Sequence, residues 1–412
     1  MNPQTNPLVE ARPGLVHVLA VLDVDGEEAR IVGGAVRDWL IGRGVRADID
    51  IATTALPEEV ESRARRAGLK TVPTGIEHGT VTVIAQGEPY EVTTLREDVE
   101  TDGRRARVVF GRSWDHDAQR RDFTMNALYL TRTGEVVDLV GGVADAKAGR
   151  VRFIGDADTR IREDYLRILR LFRFHASFGR GPLDAEALAA AARHRAGLDQ
   201  LSRERVRSEL MKLLVAPRAA ETLAQMDDAG LLAPVLGQEG RVALCARLAE
   251  VEARLGLAPD PVRRLGALAV REPAEAEALR EGLRLSNTEA ARLVGLAGPA
   301  PTPAMCEKGQ KAFLYRMGRE TFFDRALIAF ARSGALLDDE GWRALLAIAA
   351  DWKLPVFPLK AADFLTRGMT PGPALGAALK RAEEAWIEAG FPMGEAALAG
   401  IVAGAVGAGA AR

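Results

Sequence analysis

The stretch of sequence that decides the fold is residues 29–53, ARIVGGAVRDWLIGRGVRADIDIAT. The segment Ala29–Val32, in which Arg30 is the one charged residue, predicts a β-strand, and the two glycines after it predict the start of a helix that ends near Leu40. The alternation of Asp and Ile at Asp48–Ile51 predicts a second strand. The stretch therefore predicts a strand, a glycine turn, a helix and a strand that carries two carboxylates.

Asp48 and Asp50 are candidate metal ligands. On a β-strand, residues two apart point to the same face, so both carboxylates would lie side by side while Ile49 and Ile51 point into a core. Two hard oxygen ligands on a rigid strand suit a pair of Mg²⁺ ions that hold a nucleoside triphosphate. A calcium loop is excluded because the segment that follows is predicted to be helical, whereas a glycosyltransferase Asp-x-Asp motif remains an alternative.

Gly33 and Gly34 are candidate phosphate-binding residues. Glycines allow a close approach of the backbone, and the free N–H groups at the start of a helix bind phosphate oxygens. An ordinary turn is the alternative, and the G-x-G-x-x-G fingerprint of dinucleotide-binding folds is absent here.

Further polar residues that suit the same chemistry follow later in the chain. Glu91, at the start of the predicted strand EVTTLR, is a candidate third carboxylate that would hold the metal and accept a proton. A solvated charge on an edge strand is the alternative for Glu91. The segment RRDFTMNA at 120–127 carries Arg, Asp and Asn side chains that can hold a ribose hydroxyl and a triphosphate. A loop that caps the next strand is the alternative for that segment.

The rest of the pattern divides the chain into two kinds of structure. Up to about residue 155, helices and strands mix, and residues 97–122 are charged, lack periodicity and predict a long loop. After about residue 158, the pattern is helical throughout. The further elements predicted before that point are helices near 14–22 and at Pro57–Ala67, and two pairs of strands at Thr80–Ile84 with Tyr90–Leu95 and at Ala127–Leu130 with Glu135–Asp138.

The composition restricts the class of protein. A chain of 412 residues is expected to form more than one domain, and a hydrophobic content of 48% is ample for buried cores. No run approaches the roughly 20 apolar residues of a membrane span, and residues 1–14 lack a signal-peptide pattern. The two cysteines, Cys245 and Cys306, form no metal-binding spacing and fit a reducing, cytoplasmic compartment.

The charge pattern is ambiguous about nucleic acid. A net charge of −2 argues mildly against a nucleic-acid partner. Residues 160–180 nevertheless carry six arginines, and residues 203–218 are also rich in Arg and Lys. Such a basic zone suits an RNA partner, and a solvated helix face is the alternative.

Four motifs, in order and at appropriate spacing, resemble one known family. They are GGAVRD at 33–38, DIDIAT at 48–53, RRDFTMNA at 120–127 and REDYLRILRLFRF at 162–174. Together they resemble the family of class II tRNA nucleotidyltransferases and bacterial poly(A) polymerases. The resemblance is strong over residues 28–215, which include the basic segment SRERVRSEL at 202–210, and looser beyond.

The resemblance implies an α+β N-terminal nucleotidyltransferase head with a small mixed β-sheet, followed by an all-α neck, body and tail. The catalytic head would comprise residues 1–155 and the nucleotide-selecting neck residues 156–217. The helical body would comprise residues 218–310 and the tRNA-binding tail residues 311–412. The last ~15 residues, which are rich in Gly and Ala, are expected to fray.

The resemblance also implies roles for individual residues. Asp48 and Asp50 would hold two Mg²⁺ ions, with Glu91 as the third catalytic carboxylate. The RNA 3′-hydroxyl would attack the α-phosphate of the nucleotide in line and expel pyrophosphate. The implied nucleotide-binding residues are Gly33, Gly34, Arg37, Arg121, Asp122, Asn126, Asp164, Arg167 and Arg170, and the implied RNA-binding residues are Arg203, Arg205 and Lys212.

Asp164 and Arg167 match the pair with which the family selects the base. At positions i and i+3 they are expected to share one side of a helix. An ionised Asp accepts hydrogen bonds and Arg donates them, so the pair matches the amino group and ring acceptor of both cytosine and adenine. Uracil and guanine present the opposite polarity, at a cost of about 1–3 kcal/mol per unpaired group. A surface salt bridge between the two residues is the alternative.

These features predict an enzyme that adds CCA to the tRNA 3′ end from CTP and ATP without a nucleic-acid template. A poly(A) polymerase of the same fold is the main alternative; an enzyme that adds only A and an inactive RNA-binding protein are further ones. The loop at 97–112 resembles the family's flexible loop, thought to switch the pocket from CTP to ATP, and its core is Asp102-Gly103-Arg104-Arg105. Neither DNA nor a membrane is an expected partner, and the sequence does not indicate the oligomeric state.

Overall fold

The chain folds into two units, Met1–Gln238 and Glu239–Arg412. The structure is a computed structural model. It describes residues 8, 12–44, 49–75, 79–102 and 105–407, and the side chains of all of these except Thr74 and residues 97–108. Within these ranges, no helix is both long enough and apolar enough to cross a membrane.

The first unit begins with strands and short helices and ends with helices alone. Its strands are β1 (Ala29–Val32), β2 (Asp50–Thr53), β3 (Lys70–Gly75), β4 (Thr80–Ala85), β5 (Glu88–Thr94), β6 (Arg96–Asp102), β7 (Arg105–Phe110), β8 (Leu128–Leu130) and β9 (Val136–Asp138). The helices among them are α1 (Pro13–Leu22), α2 (Gly34–Leu40), α3 (Pro57–Arg66), α4 (Trp114–Gln119) and α5 (Gly142–Ala148). The later helices are α6 (Ala157–Glu163), α7 (Leu166–Phe178), α8 (Ala185–Arg193), α9 (Arg203–Leu214), α10 (Ala219–Asp228) and α11 (Leu232–Leu236).

A mixed sheet forms the centre of this unit, with the strand order β3-β4-β5-β2-β1-β8-β9. β2 is antiparallel to β1 and parallel to β5, so Asp50 lies between Val32 on one side and Glu91 on the other. Ile49 and Ile51 are buried, as the alternation predicts. The predicted α+β head with a small mixed sheet, followed by helices, is confirmed.

The predicted hairpin of β4 and β5 is confirmed, and its turn has a local cause. Gln86 and Gly87 have φ angles of 52° and 84°. Positive φ at both central residues makes a turn whose twist matches that of paired strands. The sequence pattern missed strand β3, because Pro73 and Gly75 are residues that disfavour strands; β3 is an edge strand, where proline is tolerated.

The prediction of a long loop at residues 97–122 is wrong. Strands β6 and β7 pair with each other from Arg96↔Phe110 to Asp102↔Arg105 as a separate two-stranded ribbon, and α4 follows. Because the ribbon is not part of the main sheet, it does not need the apolar alternation on which the strand prediction relied. Gly103 and Arg104, at the centre of the expected switch loop, lie outside the described residues.

The second unit is helical. Its helices are α12 (Val242–Arg254), α13 (Pro261–Ala269), α14 (Pro273–Leu283), α15 (Asn287–Leu296), α16 (Glu307–Met317), α17 (Arg319–Ser333), α18 (Glu340–Asp351), α19 (Ala361–Leu365), α20 (Pro373–Glu388) and α21 (Glu395–Gly407). The predicted boundary after residue 310 therefore falls inside α16, whereas those after residues 155 and 217 fall between helices.

The end of the second unit differs from the expected frayed tail. Residues 395–407 form helix α21, and Val402 and Ala405 on it are buried against Phe364, Leu375 and Ala378. A Gly- and Ala-rich helix has small side chains, which let it pack closely against its neighbours, and this packing offsets its weak intrinsic stability. Residues 408–412 of the expected frayed end lie outside the described residues.

Truncation of Phe364 should destabilise the second unit. The ring is 0% exposed in the cluster with Val402 and Ala405, so Phe364→Ala should lower the free energy of unfolding by about 3–5 kcal/mol. Leu365, the next residue, is 40% exposed, and Leu365→Ala is the matched control with an expected loss below about 1 kcal/mol. Urea denaturation of both variants measures the difference. Equal losses would show that the cluster does not stabilise this end of the chain.

Candidate active site

Two carboxylates lie next to each other at the centre of the sheet. Asp50 on β2 and Glu91 on β5 are paired neighbours in a parallel register, and both are exposed. Neighbouring strands are about 4.8 Å apart, so the two side chains stand on one face within reach of a common cation. Asp48, the other predicted metal ligand, lies outside the described residues. Both residues line a cleft of about 310 Å³ that also includes Arg96, Arg120 and Arg121.

A second cavity, of about 450 Å³, brings the predicted nucleotide-binding residues together. Asp50 and Arg121 line both cavities, so the two are adjacent. The residues that line the larger cavity are Gly33, Gly34, Arg37, Asp50, Arg121, Asp122, Asn126, Asp164, Arg167, Arg170 and Phe174. Residues from four separate sequence motifs therefore surround a single space.

Gly33 makes the turn that places α2 beside this cavity. Its φ is 75° and its ψ is −124°, a conformation that an L-residue with a side chain strongly disfavours. Its N–H donates to the carbonyl of Leu128 at 2.9 Å, which ties the turn to β8. The backbone conformation at position 33 therefore requires a glycine, in the turn between strand and helix that the sequence predicts.

Asp122 is the centre of a hydrogen-bond network on the cavity wall. Its Oδ1 accepts from Asn126 Nδ2 at 3.0 Å and from the N–H of Phe123 at 2.8 Å. Its Oδ2 accepts from Arg170 Nε and Nη2 at 2.7 and 2.5 Å. Burial opposes ionisation, but the Arg170 charge and the hydrogen bonds from Asn126, Arg170 and the N–H of Phe123 outweigh it and lower the pKa of Asp122. The group is therefore a carboxylate held in one orientation.

Arg37 is held on the same wall by three kinds of contact. Its Nη1 donates to Asn126 Oδ1 at 2.6 Å, and its Nε donates to Asp38 at 2.9 Å. Its guanidinium lies 3.8 Å above the ring of Phe178. Burial lowers the pKa of Arg37, and the charge of Asp38 opposes this change. The result is a fixed cation near the glycine turn.

Asp117, which lines the smaller cleft, is a residue that the sequence interpretation missed. It is 1% exposed and forms ion pairs with Arg120 and Arg121, at 2.9 Å to the latter. Tyr129 donates its hydroxyl to the same carboxylate at 2.8 Å. Burial raises the pKa of Asp117, but the charges of Arg121 and Arg120 have the larger combined effect and lower it. The spacing Asp-x-x-Arg-Arg on a helix was the available signal.

Glu209 is a second residue that was missed. It is a buried carboxylate on α9 that pairs with Arg173 at 2.5 Å and with Arg170 at 3.6 Å. Arg170 therefore lies between the carboxylates of Asp122 and Glu209, so α9 helps to position the helix α7 against the cavity.

Asp164 and Arg167 both line the cavity, but the expectation that they share one side of a helix is wrong. Asp164 lies in the break between α6 and α7, with an extended backbone at φ −153°. Its Oδ1 accepts from the N–H of Leu166 at 3.0 Å, which fixes the break, and its Oδ2 accepts from Arg205 at 2.7 Å. The alternative of a salt bridge between Asp164 and Arg167 does not describe this arrangement.

Arg167 is anchored by carbonyl groups and one carboxylate. It donates to the carbonyl of Arg160 at 2.8 Å, to Glu163 at 2.5 Å and to the carbonyl of Arg120 at 3.2 Å. These contacts leave the guanidinium in a fixed position at the edge of the cavity.

The three predicted RNA-binding residues do not form one basic face. Arg205 and Lys212 lie on the same side of α9, seven residues apart, and Arg203 points to another side. Arg205 also pairs with Asp164, which lines the larger cavity. The structure thus connects Arg205 to the nucleotide-binding residues rather than to a separate surface.

Substitution of Asp117 should destabilise the protein in a pH-dependent way. Asp117→Asn leaves Arg120, Arg121 and Tyr129 without their carboxylate and should cost about 3–5 kcal/mol of unfolding free energy at pH 7. Because the pKa of Asp117 is lowered in the folded state, this stabilisation is complete above about pH 4 and is lost as the pH falls through the folded value.

Urea denaturation at pH 7, 5 and 3 measures this dependence. The matched control is Asp115→Asn on the same helix, where the side chain is exposed and little loss is expected at any pH. A difference between wild type and Asp117→Asn that stays constant down to pH 3 would contradict the assignment.

Comparison with known proteins agrees with these motifs. Residues 29–152 match the family described as Poly A polymerase head domain. Residues 182–239 match the family described as Probable RNA and SrmB- binding site of polymerase A.

Similarity to named proteins extends over nearly the whole chain. The chain is 35% identical to mouse CCA tRNA nucleotidyltransferase 1, mitochondrial, over 92% of its own length and 87% of the relative. It is 42% identical to a CCA-adding enzyme of Leuconostoc citreum over 54% of each protein. The chain superimposes on the crystal structure of the Bacillus stearothermophilus CCA-adding enzyme in complex with CTP with a TM-score of 0.71 and 30% sequence identity. The superposition covers 93% of this chain and 94% of the Bacillus stearothermophilus chain.

Proposed function

The chain belongs to the family of CCA-adding tRNA nucleotidyltransferases, and on this premise we propose that it adds CCA to the 3′ end of tRNA. The substrates are CTP and ATP, and pyrophosphate is released. The observation that carries the proposal is the cavity of about 450 Å³ that all nine predicted nucleotide-binding residues line together with Asp50.

Different residues of the cavity bind different parts of the nucleotide. Asp122 and Asn126 hold the ribose hydroxyls, because they present a fixed acceptor and an amide to the same space. Arg37, Arg121 and the Gly33–Gly34 turn bind the triphosphate, because two guanidinium cations and a close approach of the backbone suit its negative charge. The α-phosphate would then lie nearest Asp50, where the two cavities meet.

Nucleotidyltransferases of this kind use a divalent metal ion, and the residues present fit one. Asp50 and Glu91 offer adjacent exposed carboxylates, the donors that hard cations prefer. We assign two Mg²⁺ ions to Asp48 and Asp50; such ions polarise the phosphate and lower the pKa of the attacking hydroxyl. Glu91 would accept the proton of the RNA 3′-hydroxyl as the oxygen attacks the α-phosphate in line and pyrophosphate leaves.

Base selection follows from the polarity of Asp164 and Arg167. Asp164 accepts from the amino group of cytosine or adenine, and Arg167 donates to the ring nitrogen beside it. Arg205 pairs with the same carboxylate, so it orients Asp164 for this contact. Selection of both bases by one protein surface makes a nucleic-acid template unnecessary.

The cellular compartment of the reaction stays a prediction. The sequence pattern favours the cytoplasm, and the similarity to mitochondrial relatives extends over most of the chain. We propose that the protein acts in the cytoplasm, and cell fractionation tests this compartment.

A product-length assay tests the function directly. Purified protein is given a tRNA that lacks CCA, with CTP alone, ATP alone and both together, and the product is resolved at single-nucleotide resolution. Addition that stops after three nucleotides and needs both substrates establishes CCA addition. Long A tails on unrelated RNA would instead identify a poly(A) polymerase, and no addition would refute both.

Asp50→Asn should abolish nucleotide addition while leaving tRNA binding intact. Loss of a metal-binding carboxylate should lower the rate by more than about 100-fold. Single-turnover addition of CTP measures the rate, and a filter-binding assay measures the affinity for tRNA. Glu58→Gln, an exposed carboxylate on α3, is the control and should keep the wild-type rate. Turnover of Asp50→Asn at the wild-type rate would refute the metal assignment.

Asp164→Ala should weaken the exclusion of UTP and GTP relative to CTP and ATP. The unfavourable polarity costs about 1–3 kcal/mol per group, so its removal should change the ratio of kcat/KM values by about tenfold or more. Asp199→Ala, an exposed residue just before α9, is the matched control. If the variant still rejects UTP and GTP as strongly as the wild type, Asp164 does not select the base.

A further inference from the structure

A cavity lined by arginines lies within the second unit. Its volume is about 230 Å³, and its ten lining residues include four arginines and no carboxylate. The arginines are Arg241, Arg271, Arg325 and Arg332. In a chain whose net charge is −2, four like charges around one space repel each other, and an anion within the cavity would relieve this repulsion.

The helices place these arginines on two sides of the cavity. On α17, Arg325, Ile328, Ala329 and Arg332 follow the spacing i, i+3, i+4, i+7 and form one face. Arg241 immediately precedes α12, and Arg271 lies just beyond the end of α13. Secondary structure on both sides thus fixes the positions of the four backbones.

Two of the arginines are fixed by backbone carbonyls. Arg241 donates from Nη2 to the carbonyl of Gly266 at 3.2 Å and to that of Val270. Arg325 donates from Nε to the carbonyl of Gly295 at 2.5 Å and from Nη1 to that of Pro299 at 2.6 Å. A guanidinium has five N–H donors, so each keeps donors for a ligand after these bonds. Groups held in advance in this way lose little entropy when a ligand binds.

The other two arginines are available for a ligand. Arg271 and Arg332 are exposed, and their side chains form no hydrogen bond or ion pair with any residue that the structure describes. The cavity therefore combines two anchored cations with two that can move toward an anion.

The electrostatics of Arg241 agree with a site for an anion. Burial lowers the pKa of Arg241, and the charges of Arg271 and Arg332 lower it further. Glu275 opposes this change, but its carboxylate accepts from the N–H groups of Arg271 and Glu272 at the start of α14. The carboxylate of Glu275 is thus used as a helix cap.

The size of the cavity limits the ligand to a compact anion. Sites for drug-sized molecules occupy about 300–1,000 Å³, and this one is smaller. We propose that the four arginines bind one phosphate group. The source is either a backbone phosphate of the tRNA, which rests on the function proposed above, or a free phosphate ion, which does not.

Two binding measurements on the full-length protein distinguish these sources. The pocket variant is Arg271→Gln with Arg332→Gln, which removes the two exposed charges and leaves the carbonyl anchors of Arg241 and Arg325 in place. The matched control, Arg254→Gln with Arg343→Gln, removes two exposed charges of the same unit outside the cavity. The probes are a tRNA that lacks CCA, titrated at several salt concentrations, and inorganic phosphate, followed by the shift in Tm.

A backbone phosphate predicts that the pocket variant binds tRNA on the order of tenfold more weakly than the control. The slope of log affinity against log salt should also fall by about 1. If the ligand is a free phosphate ion, the pocket variant should bind tRNA as the control does. Phosphate should then raise the Tm of wild type and control but not the Tm of the pocket variant. Arg271→Lys with Arg332→Lys should restore most of either effect, because it keeps the charges.

The proposal is overturned if pocket variant and control agree in both measurements. This outcome is separate from failure of the proposed function. A wild-type protein that binds tRNA through the pocket but adds no nucleotide refutes CCA addition alone. If the wild type does not bind tRNA, the phosphate measurement alone decides whether the pocket binds an anion.

Discussion

The ion pair between Arg170 and Asp122 is the interaction on which the rest of the candidate site depends. It joins helix α7 to the segment before β8 across 48 residues of sequence. Only an ionised carboxylate can accept from Arg170 on one oxygen and from Asn126 on the other. Asp122 is buried while Arg170 is 30% exposed, so breaking this part-buried pair would leave a buried carboxylate without its cation. The packing of α7 and the shape of the cavity therefore cannot change independently.

The second unit uses the same kind of interaction for a different purpose. Arg263 donates to Asp324 and Glu252 at 2.7 Å each, and both carboxylates are 1% exposed. Arg264 and Arg292 bind the remaining oxygens of these carboxylates, so each buried charge is fully paired. Charge-assisted hydrogen bonds depend on direction, so this network fixes the orientation of helices α12, α13 and α17 as well as their contacts. Apolar packing alone does not fix their orientation in this way. The arginines of the cavity of about 230 Å³ in the same unit differ, because no carboxylate lines it.

Much of the site could be predicted because its residues come in short motifs whose spacing reflects local structure. The strand–glycine–helix order at residues 29–40 was predicted correctly, since apolar runs and glycines act over a few residues. Asp117 and Glu209 were not predicted, because their importance comes from partners that only the folded chain brings near. The break at Asp164 was missed for a related reason. The residue spacing typical of a helix continues through this part of the sequence, but helix α6 ends at Asp164. The ribbon at β6 and β7 and the helix α21 were missed because they lack the apolar patterns of elements with a large buried face.

The contact between Arg205 and Asp164 has a consequence for how selectivity relates to affinity. A carboxylate that is already paired exchanges or shares its partner when it accepts from a base, so only part of the new contact appears as binding free energy. In the proposed base selection, however, rejection of a wrong base comes from the unfavourable contact between its carbonyl oxygen and the carboxylate, and this contact does not depend on the exchange. An arrangement of this kind can reject the wrong base strongly while it holds the correct one weakly. Weak binding of each nucleotide suits an enzyme whose site must be vacated by one nucleotide and bind the next within a single round of synthesis.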